Sequence, residues 1–244
     1  MIKKIKLIII IFSFGCNALL EESTPLKGDF YIQDGWLAFS SSEYEEATKH
    51  FNTAIETNGE GSGFHFLSFI GKGWTQFYQA KSKNDSINVQ IELIELSGVY
   101  FSKALGILSE LDSNLYNENE RIDLFVGLSL QRTYSAKQKS VNMILWETNN
   151  IELSNKINQL YEEAISYSLE VNESYVFKYD SDISFENIIL LRIENYILIG
   201  DFESAVSDYK KYGFDCVGNE INIDTIVECL CITINDGICP FNGD

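Results

Sequence analysis

The sequence predicts an all-α protein built of antiparallel helix pairs. Only Pro25 and Pro240 are prolines among the 244 residues, so the strongest helix breaker is absent from the long stretch between them. Within that stretch, apolar residues recur at spacings of three and four, which is typical of amphipathic helices. Because 45% of the residues are hydrophobic, such helices can bury a sizeable core.

Residues 1–15 have the organisation of a secretory signal. Lys3, Lys4 and Lys6 precede an almost entirely apolar run over residues 7–14, and Gly15 supplies a small residue at the end. The apolar run is too short for a transmembrane helix, which needs about 20 apolar residues. We therefore expect this segment to be removed, and we exclude it from the prediction of the fold.

The sequence FSFGC, which ends at Cys16, resembles the lipobox of bacterial lipoproteins. Gly15 fits the small position before the cut and Cys16 fits the acylated one, whereas Ser13 and Phe14 depart from the family pattern. The resemblance implies that Cys16 carries lipid, with acyl chains such as palmitate holding the chain at a membrane and residues 16–28 acting as a flexible tether. The alternative is a secreted protein in which Cys16 is simply the end of a signal peptide.

Two further features bear on where the chain acts and what it binds. Asn17 is not the Asp that resembles an inner-membrane retention signal, which favours the outer membrane and leaves the periplasmic or surface orientation open. The formal net charge of −18 becomes more negative once the lysines of the signal are removed. Nucleic acids and anionic lipid surfaces need a positive footprint on a protein, so both are excluded as partners.

Residues 29–58 predict two amphipathic helices joined by a short turn. Their apolar positions keep the helical spacing on both sides of a Ser-Ser-Ser-Glu turn: Tyr31, Gly35, Ala38, Phe39, Tyr44, Ala47, Phe51, Ala54 and Ile55. Ser42 is the predicted N-cap of the second helix, with Glu45 completing a capping box. A small residue such as Gly35 lets two helix backbones approach while aromatic side chains fill the space beside it.

This pattern resembles a tetratricopeptide repeat, and less regular copies follow it along the chain. The copies are marked by Gly73, Trp74, Phe77 and Ala104, by residues 121–138 and 151–172 around Ala164, and by Tyr196, Phe202, Ala205 and Tyr209 around a Gly200-Asp201 turn. The resemblance covers residues 29–213 and implies stacked helix pairs in a right-handed solenoid. Proline-free runs over residues 87–111 and 144–171 predict long, irregular middle helices.

A cysteine-rich tail over residues 214–244 is expected to cap the array with small loops tied to the last helix. Its cysteines are an even set in a chain predicted to be exported, which favours two disulfides: Cys216, Cys229, Cys231 and Cys239. A bridge between Cys229 and Cys231 would be strained, so Cys216 is expected to pair with one of them and Cys239 with the other. A four-thiolate metal site and buried free thiols are the alternatives.

No catalytic, cofactor-binding or metal-binding pattern stands out. His50 and His65 share no metal-like spacing, and we interpret both as surface or packing residues. Residues 59–63, with the sequence GEGSG, follow a predicted helix and lack the Lys and Ser/Thr of a phosphate-binding loop, so they predict a linker. We therefore expect no catalytic residues, no cofactor and no metal.

Aromatic residues are the one surplus, at 13% of the chain. Most are expected in the core, especially a group in the first half: Trp36, Trp74, Tyr31, Phe39, Phe64, Phe66, Phe69, Phe77 and Tyr78. Any that remain on a concave face would form a ligand-binding strip, and Tyr78 and Gln79 are the candidates for it.

The predicted function is a non-catalytic scaffold in the cell envelope, held at the membrane by its lipid anchor, that binds an envelope protein or peptide in its groove. The alternative is a ligand-binding lipoprotein similar to the helical glycan-binding components of outer-membrane uptake systems, which are much longer and carry an extra lobe. An enzyme would need a polar pocket with perturbed acids. Exposed aromatics with an acidic rim favour a basic peptide partner, whereas a closed cavity of about 300 Å³ or more favours a small ligand.

Overall fold

The structure is a computed structural model that describes residues 27–60, 62–82, 86–145, 151–214 and 222–234. These residues form α-helices and connecting segments without a β-strand, so the predicted all-α class is confirmed. The helices are α1 (Lys27–Ser40), α2 (Tyr44–Thr57), α3 (Gly63–Ser82), α4 (Ile87–Leu108), α5 (Glu118–Leu145), α6 (Ile151–Ser168), α7 (Phe185–Leu198), α8 (Phe202–Tyr212) and α9 (Ile223–Ile234), with a short 3₁₀ turn at Ser113–Leu115. None of these helices is long and apolar enough to cross a membrane.

Helix α8 illustrates how local sequence fixes a helix. The Asp201 carboxylate accepts a hydrogen bond from the Ser204 backbone N–H at 3.1 Å, which caps the first turn. Gly213 ends the helix in the left-handed conformation with φ of 70°. Lys210 and Lys211 occupy the last turn, where positive charge interacts favourably with the negative end of the helix dipole. The predicted turn at Gly200 and Asp201 is therefore confirmed.

The start of α2 differs from its prediction. Ser42 does not cap the helix, because its backbone has φ of 60° and Glu43 takes the N-cap position without a side-chain capping bond. The Ser42 backbone N–H instead donates to the Phe39 carbonyl at 2.9 Å, which extends the turn after α1 by one residue. The capping box predicted from Ser42 and Glu45 is therefore wrong.

The helices pack in chain order. Each of α1 to α7 contacts the next helix along the chain, and the odd-numbered helices α1, α3 and α5 also contact one another in sequence. Helix α8 packs against α7, and α9 contacts both α7 and α8.

Two phenylalanines on even-numbered helices insert between glycines on the odd-numbered helices. A Cβ on Gly35 or Gly71 would lie 2.7 Å and 2.3 Å from Phe51 Cε1. Phe101 has the same relation to the next helices, because a Cβ would lie 2.5 Å from its ring at Gly73 and 2.4 Å at Gly127. The same packing unit thus occurs twice, joining α1, α2 and α3 and then α3, α4 and α5.

The segment between α6 and α7 enters the core instead of running over the surface. Val171, Tyr175, Phe177 and Ile183 are buried together with the side chains of α1 to α5. The segment is shaped as a narrow turn with one β-bridge between Val176 and Ser184. A second core, formed by α7, α8 and α9, lies beside it.

The tail differs in part from its prediction. Residues 223–234 form helix α9, whose Ile226 and Leu230 are buried against α7 and α8, whereas small loops were expected. Cys16, Cys216 and Cys239 lie outside the described residues. Cys229 and Cys231 lie on α9, but their side chains are outside the described part. The predicted lipid site and disulfides therefore remain predictions.

Candidate functional site

Residues 175–180 cross one side of helices α1, α3 and α5, and we call them the crossing segment. Residues 175–177 are extended, and residues 178–179 form a turn in which the Asp180 backbone N–H donates to the Phe177 carbonyl at 3.2 Å. Alternate side chains of an extended chain point to opposite sides. Tyr175 and Phe177 are accordingly buried and Val176 between them is exposed, while in the turn that follows Lys178 is exposed and Tyr179 is half-buried. Backbone hydrogen bonds from Phe177 N–H to the Ile183 carbonyl (2.8 Å) and from Phe185 N–H to the Tyr175 carbonyl (2.9 Å) hold its shape.

Aromatic stacking fixes the crossing segment to the first helices. The Phe177 ring stacks on the fully buried Trp74 of α3 with 4.3 Å between ring centroids. The Tyr179 ring stacks on Trp36 of α1, also with 4.3 Å between centroids. The Tyr78 hydroxyl of α3 donates a hydrogen bond to the Asp180 carboxylate. Such ring pairs add to the stabilisation from area burial.

A cavity of about 400 Å³ remains between the crossing segment, α1, α3 and the first turns of α5. We call it the acidic cleft. The described part of its wall brings together three carboxylates, two carboxamides, aromatic rings and one lysine: Asp29, Glu120, Asp123, Asn117, Asn119, Trp36, Tyr175, Tyr179 and Lys178. Ile32, Leu67 and Ile70 form its apolar floor.

Asp123 is the most constrained carboxylate in the cleft. Its carboxylate accepts a hydrogen bond from the Tyr175 hydroxyl at 2.9 Å, and its backbone carbonyl accepts one from the Trp74 indole N–H at 3.2 Å. Burial raises the pKa of Asp123 to about 6, although the Tyr175 hydrogen bond acts in the opposite direction. Burial likewise raises the pKa of the Tyr175 hydroxyl, so this group remains a donor at neutral pH.

The other two carboxylates lie in the first turns of their helices. Asn117 and Glu120 form a capping box, with the Asn117 backbone N–H donating to Glu120 Oε2 at 2.8 Å and the Glu120 N–H donating to Asn117 Oδ1 at 2.9 Å. Burial raises the pKa of Glu120, and the bond from Asn117 partly offsets this effect. Asp29, in the first turn of α1, accepts a bond from Gln33 Nε2 at 2.9 Å. Negative charge at the N-termini of α1 and α5 is favourable because it interacts with the positive end of each helix dipole.

Three other cavities are less suited to a specific ligand. One of about 620 Å³ lies beside Phe214, where the described chain is interrupted. One of about 630 Å³ lies at the start of α2 beside Ser82, the last residue before another interruption. The third, about 460 Å³ between α4 and α5, is bordered by two ion pairs, Lys139 with Glu95 at 2.8 Å and Arg132 with Glu163 at 2.7 Å.

Of the residues that line the cleft, only Trp36 was singled out from the sequence, and it was expected in the core. Of the two residues predicted for a ligand-binding strip, Tyr78 contacts the crossing segment and is not among the residues that line the acidic cleft, and Gln79 is buried at a separate cavity. Most of the predicted core aromatics are buried, including Phe66, Phe77 and Trp74. The missed signal was the alternation of aromatic residues at 175 and 177, which is typical of an extended segment with one buried side, and Tyr179 follows in a turn.

The two histidines are apart and have no common partner. His50 Nε2 lies 3.7 Å from Glu46 Oε1 on the same helix, and His65 is buried beside the Phe69 ring. Burial lowers the pKa of His65, which favours its neutral form. Among the described residues, no group of three or more His, Cys, Asp or Glu side chains is arranged to hold a metal ion.

The comparisons with known proteins do not assign the chain to a family. No protein-family model matches the chain, no curated protein matches its sequence, and no solved structure matches its fold. A function therefore has to be argued from the residues of the site.

Proposed function

We propose that this chain is a lipid-anchored, non-catalytic scaffold of the bacterial cell envelope that binds a partner protein at the acidic cleft. The observation that carries the proposal is the cleft itself, a cavity of about 400 Å³ in which aromatic rings and three carboxylates from two helices converge. Aromatic residues are enriched at protein interfaces because they bury much area with few rotatable bonds. The net charge of −18 keeps such a surface solvated until a partner arrives.

A tetratricopeptide-like solenoid is part of this proposal. It is supported by the order of helix contacts and by the repeated insertion of Phe51 and Phe101 between glycines of flanking helices. In such an array α1, α3 and α5 would line the concave side, and the crossing segment contacts these three helices. The chain itself therefore fills much of the expected groove, which leaves the acidic cleft as the part open to a partner.

The alternative, a glycan-binding lipoprotein, receives less support from the described aromatic residues. Glycan sites commonly present exposed aromatic faces to sugar rings, whereas Trp74 is fully buried and the half-buried Trp36 is covered by Tyr179. The volume of the cleft is still sufficient for a small ligand. The partner experiment below separates the two functions.

The partner experiment uses the full-length chain with a C-terminal tag, purified from membranes and followed by mass spectrometry of co-purifying proteins. Three samples are compared: wild type, the cleft variant Asp29→Asn with Asp123→Asn, and a matched variant in which Glu152→Gln and Glu203→Gln remove two exposed carboxylates on α6 and α8. We expect one partner to be lost from the cleft variant alone. A chain that captures no protein, yet melts at a higher temperature with a glycan, would show the scaffold proposal to be wrong.

The anchor is tested with Cys16→Ala. We expect the variant to leave the membrane fraction and to lose incorporation of labelled palmitate, because a chain without acyl groups has no stable attachment. Cys229→Ala is the control and should still sediment with membranes. A Cys16→Ala chain that sediments like wild type would contradict the lipid anchor.

The tail cysteines are tested by alkylation under denaturing conditions, with and without prior reduction. Two disulfides among Cys216, Cys229, Cys231 and Cys239 would block all four thiols until a reductant is added. Four thiols that react at once in protein purified from the envelope would contradict the disulfides.

A further inference from the structure

We infer that the acidic cleft takes a basic side chain, an arginine guanidinium or a lysine ammonium, presented by the partner protein. The inference rests on the proposed function and adds the chemistry of recognition to it. It follows from three properties of the cleft, namely its uncompensated negative charge, a cation of the chain already lying at its wall, and its aromatic faces.

The charge in the cleft is unbalanced. Asp29 comes from α1, Glu120 and Asp123 come from α5, and Lys178 of the crossing segment is the one basic residue in the described part of the wall. Carboxylates that are partly removed from water and lack a cation attract one strongly, because the surrounding dielectric constant is low. The cleft is thus suited to a ligand that brings positive charge.

Lys178 indicates what kind of group the cleft accommodates. Its ammonium nitrogen lies 5.3 Å from the centroid of the Tyr179 ring, which is within the range of a cation–π contact. Lys178 is exposed and is one of the residues that line the cleft. The chain's own lysine therefore occupies part of the site that a partner's basic group would use.

The volume and the lining of the cleft favour one long, basic side chain. A volume of about 400 Å³ accommodates one long side chain and excludes a folded element. Apolar lining residues such as Ile32 and Leu67 suit the aliphatic stem of arginine or lysine, while the carboxylates of the same wall suit its charged head. A guanidinium can form paired hydrogen bonds with a carboxylate and stack on an aromatic ring.

Protonation of Asp123 provides a second, independent way to detect a cation bound in the cleft. Asp123 interacts with Glu120 on α5 and with Tyr175, Lys178 and Tyr179 on the crossing segment, and Asp29 of α1 lines the same cleft. Burial holds the pKa of Asp123 at about 6, and a bound cation would favour the ionised form. Ligand binding near pH 6 should therefore release protons, and affinity should fall as the pH is lowered through this range.

The test uses two labelled peptides, acetyl-Gly-Arg-Gly-amide and the same peptide with neutral citrulline in place of arginine. Binding to the purified full-length chain is measured by fluorescence anisotropy at low and physiological ionic strength. We expect the arginine peptide to bind and the citrulline peptide to bind about tenfold more weakly or not at all, because charge-assisted hydrogen bonds are the strong ones.

Variants separate a site from general attraction to an acidic protein. Asp29→Asn with Asp123→Asn should weaken the arginine peptide about tenfold, whereas Glu152→Gln with Glu203→Gln removes the same charge elsewhere and should have little effect. Lys178→Ala should strengthen binding, while Lys210→Ala should not, and this pair tests the site without altering a carboxylate. Thermal melts check that each variant is folded.

Two results would overturn the inference. One is equal weakening by the cleft pair and the matched pair, which would mean that only overall charge attracts the peptide. The other is a Lys178→Ala chain that binds no better than Lys210→Ala. If the membrane purification still captures a partner through the cleft in either case, the proposed function stands and only the basic-side-chain chemistry fails.

Discussion

The indole ring of Trp36 lies parallel to the phenol ring of Tyr179, with 4.3 Å between their centroids and 6° between their planes. Trp36 belongs to α1, whereas Tyr179 lies on the crossing segment between α6 and α7. Burial, together with the nearby Asp123 carboxylate, raises the pKa of Tyr179 to about 12. This one contact therefore joins distant parts of the chain and forms a wall of the acidic cleft.

Removing the Tyr179 ring should uncover Trp36. We expect Tyr179→Ala to lower the free energy of unfolding by about 1–3 kcal/mol and to increase acrylamide quenching of the tryptophan fluorescence. Tyr179→Phe keeps the ring and should leave the quenching at the wild-type level. Combining Tyr179→Ala with Trp36→Phe assigns the signal, because the added quenching should disappear. Quenching that Tyr179→Ala does not change would show that Tyr179 does not cover Trp36.

The Phe51 ring occupies the space that a side chain at position 71 would need, so the packing requires Gly71. A Cβ at Gly71 would lie 2.3 Å from Phe51 Cε1, so Gly71→Ala should lower the free energy of unfolding by about 1–3 kcal/mol, measured by urea denaturation. Gly106→Ala on α4 is the matched control, since a Cβ there would meet no atom within 4 Å. That control should stabilise the protein by about 0.5–1 kcal/mol, because alanine is the better helix former.

A compensating change tests the same packing from the opposite side. Phe51→Leu creates space beside Gly71, so the double variant should recover part of the stability that Gly71→Ala removes. If the two substitutions are strictly additive, the close approach of Phe51 to Gly71 does not exist in solution.

The regular helices were predictable because the periodicity of apolar residues is local information. Ala47, Phe51 and Ala54 recur at helical spacing and are buried on one face of α2. The small residue Gly35 was expected at a helix crossing, and the ring of Phe51 lies against it. Helix boundaries were less predictable, since any serine in the turn before α2 has the chemistry of a cap and only the backbone conformation at Ser42 decides between them.

The cleft could not be predicted because its parts are distant in sequence. Asp29 and Asp123 approach one cavity only after α1, α3 and α5 pack together and residues 175–180 fold across them. Nothing local to either aspartate distinguishes it from the other acidic residues of the chain. The lipid anchor at Cys16 is the reverse case, since its motif is read directly from the sequence while the residue lies outside the described structure.

Asp123 should make stability depend on pH with an unusual sign. An unfolded aspartate has a pKa of about 3.9, whereas burial raises the pKa of Asp123 to about 6 in the folded chain. Between these values the folded state binds the proton more tightly, so this group favours folding at low pH and loses that contribution as the pH rises through 6. Asp123→Asn should therefore gain about 2 kcal/mol relative to wild type between pH 4 and pH 7, measured by urea denaturation.

Asp34→Asn, at an exposed position on α1, is the matched control for this pH series. The stability difference between wild type and Asp123→Asn should depend on pH in a way that the Asp34→Asn difference does not. Parallel curves for the two variants would show that Asp123 does not titrate near pH 6.

The ion pair between Arg192 and Asp208 should be one of the costliest to break. The Arg192 side chain is almost completely buried, its Nε lies 2.6 Å from Asp208 Oδ2, and its Nη1 donates to the Ser168 carbonyl at 3.3 Å. Asp208→Ala would leave a buried guanidinium without its counter-charge, which typically costs about 3–5 kcal/mol. We expect urea denaturation to reveal a loss of that size, with α8 the first helix to lose protection from hydrogen exchange.

The exposed pair of Lys156 and Glu152 gives the contrast that interprets this result. Their charged atoms are 2.8 Å apart, a distance close to that of the buried pair, but the side chains are 61% and 78% exposed. Because solvent screens this pair, Glu152→Ala should lower the free energy of unfolding far less than Asp208→Ala does. Similar losses for Asp208→Ala and Glu152→Ala would mean that Arg192 reaches water or another acceptor in solution, and that burial does not hold α8 against α7 through this pair.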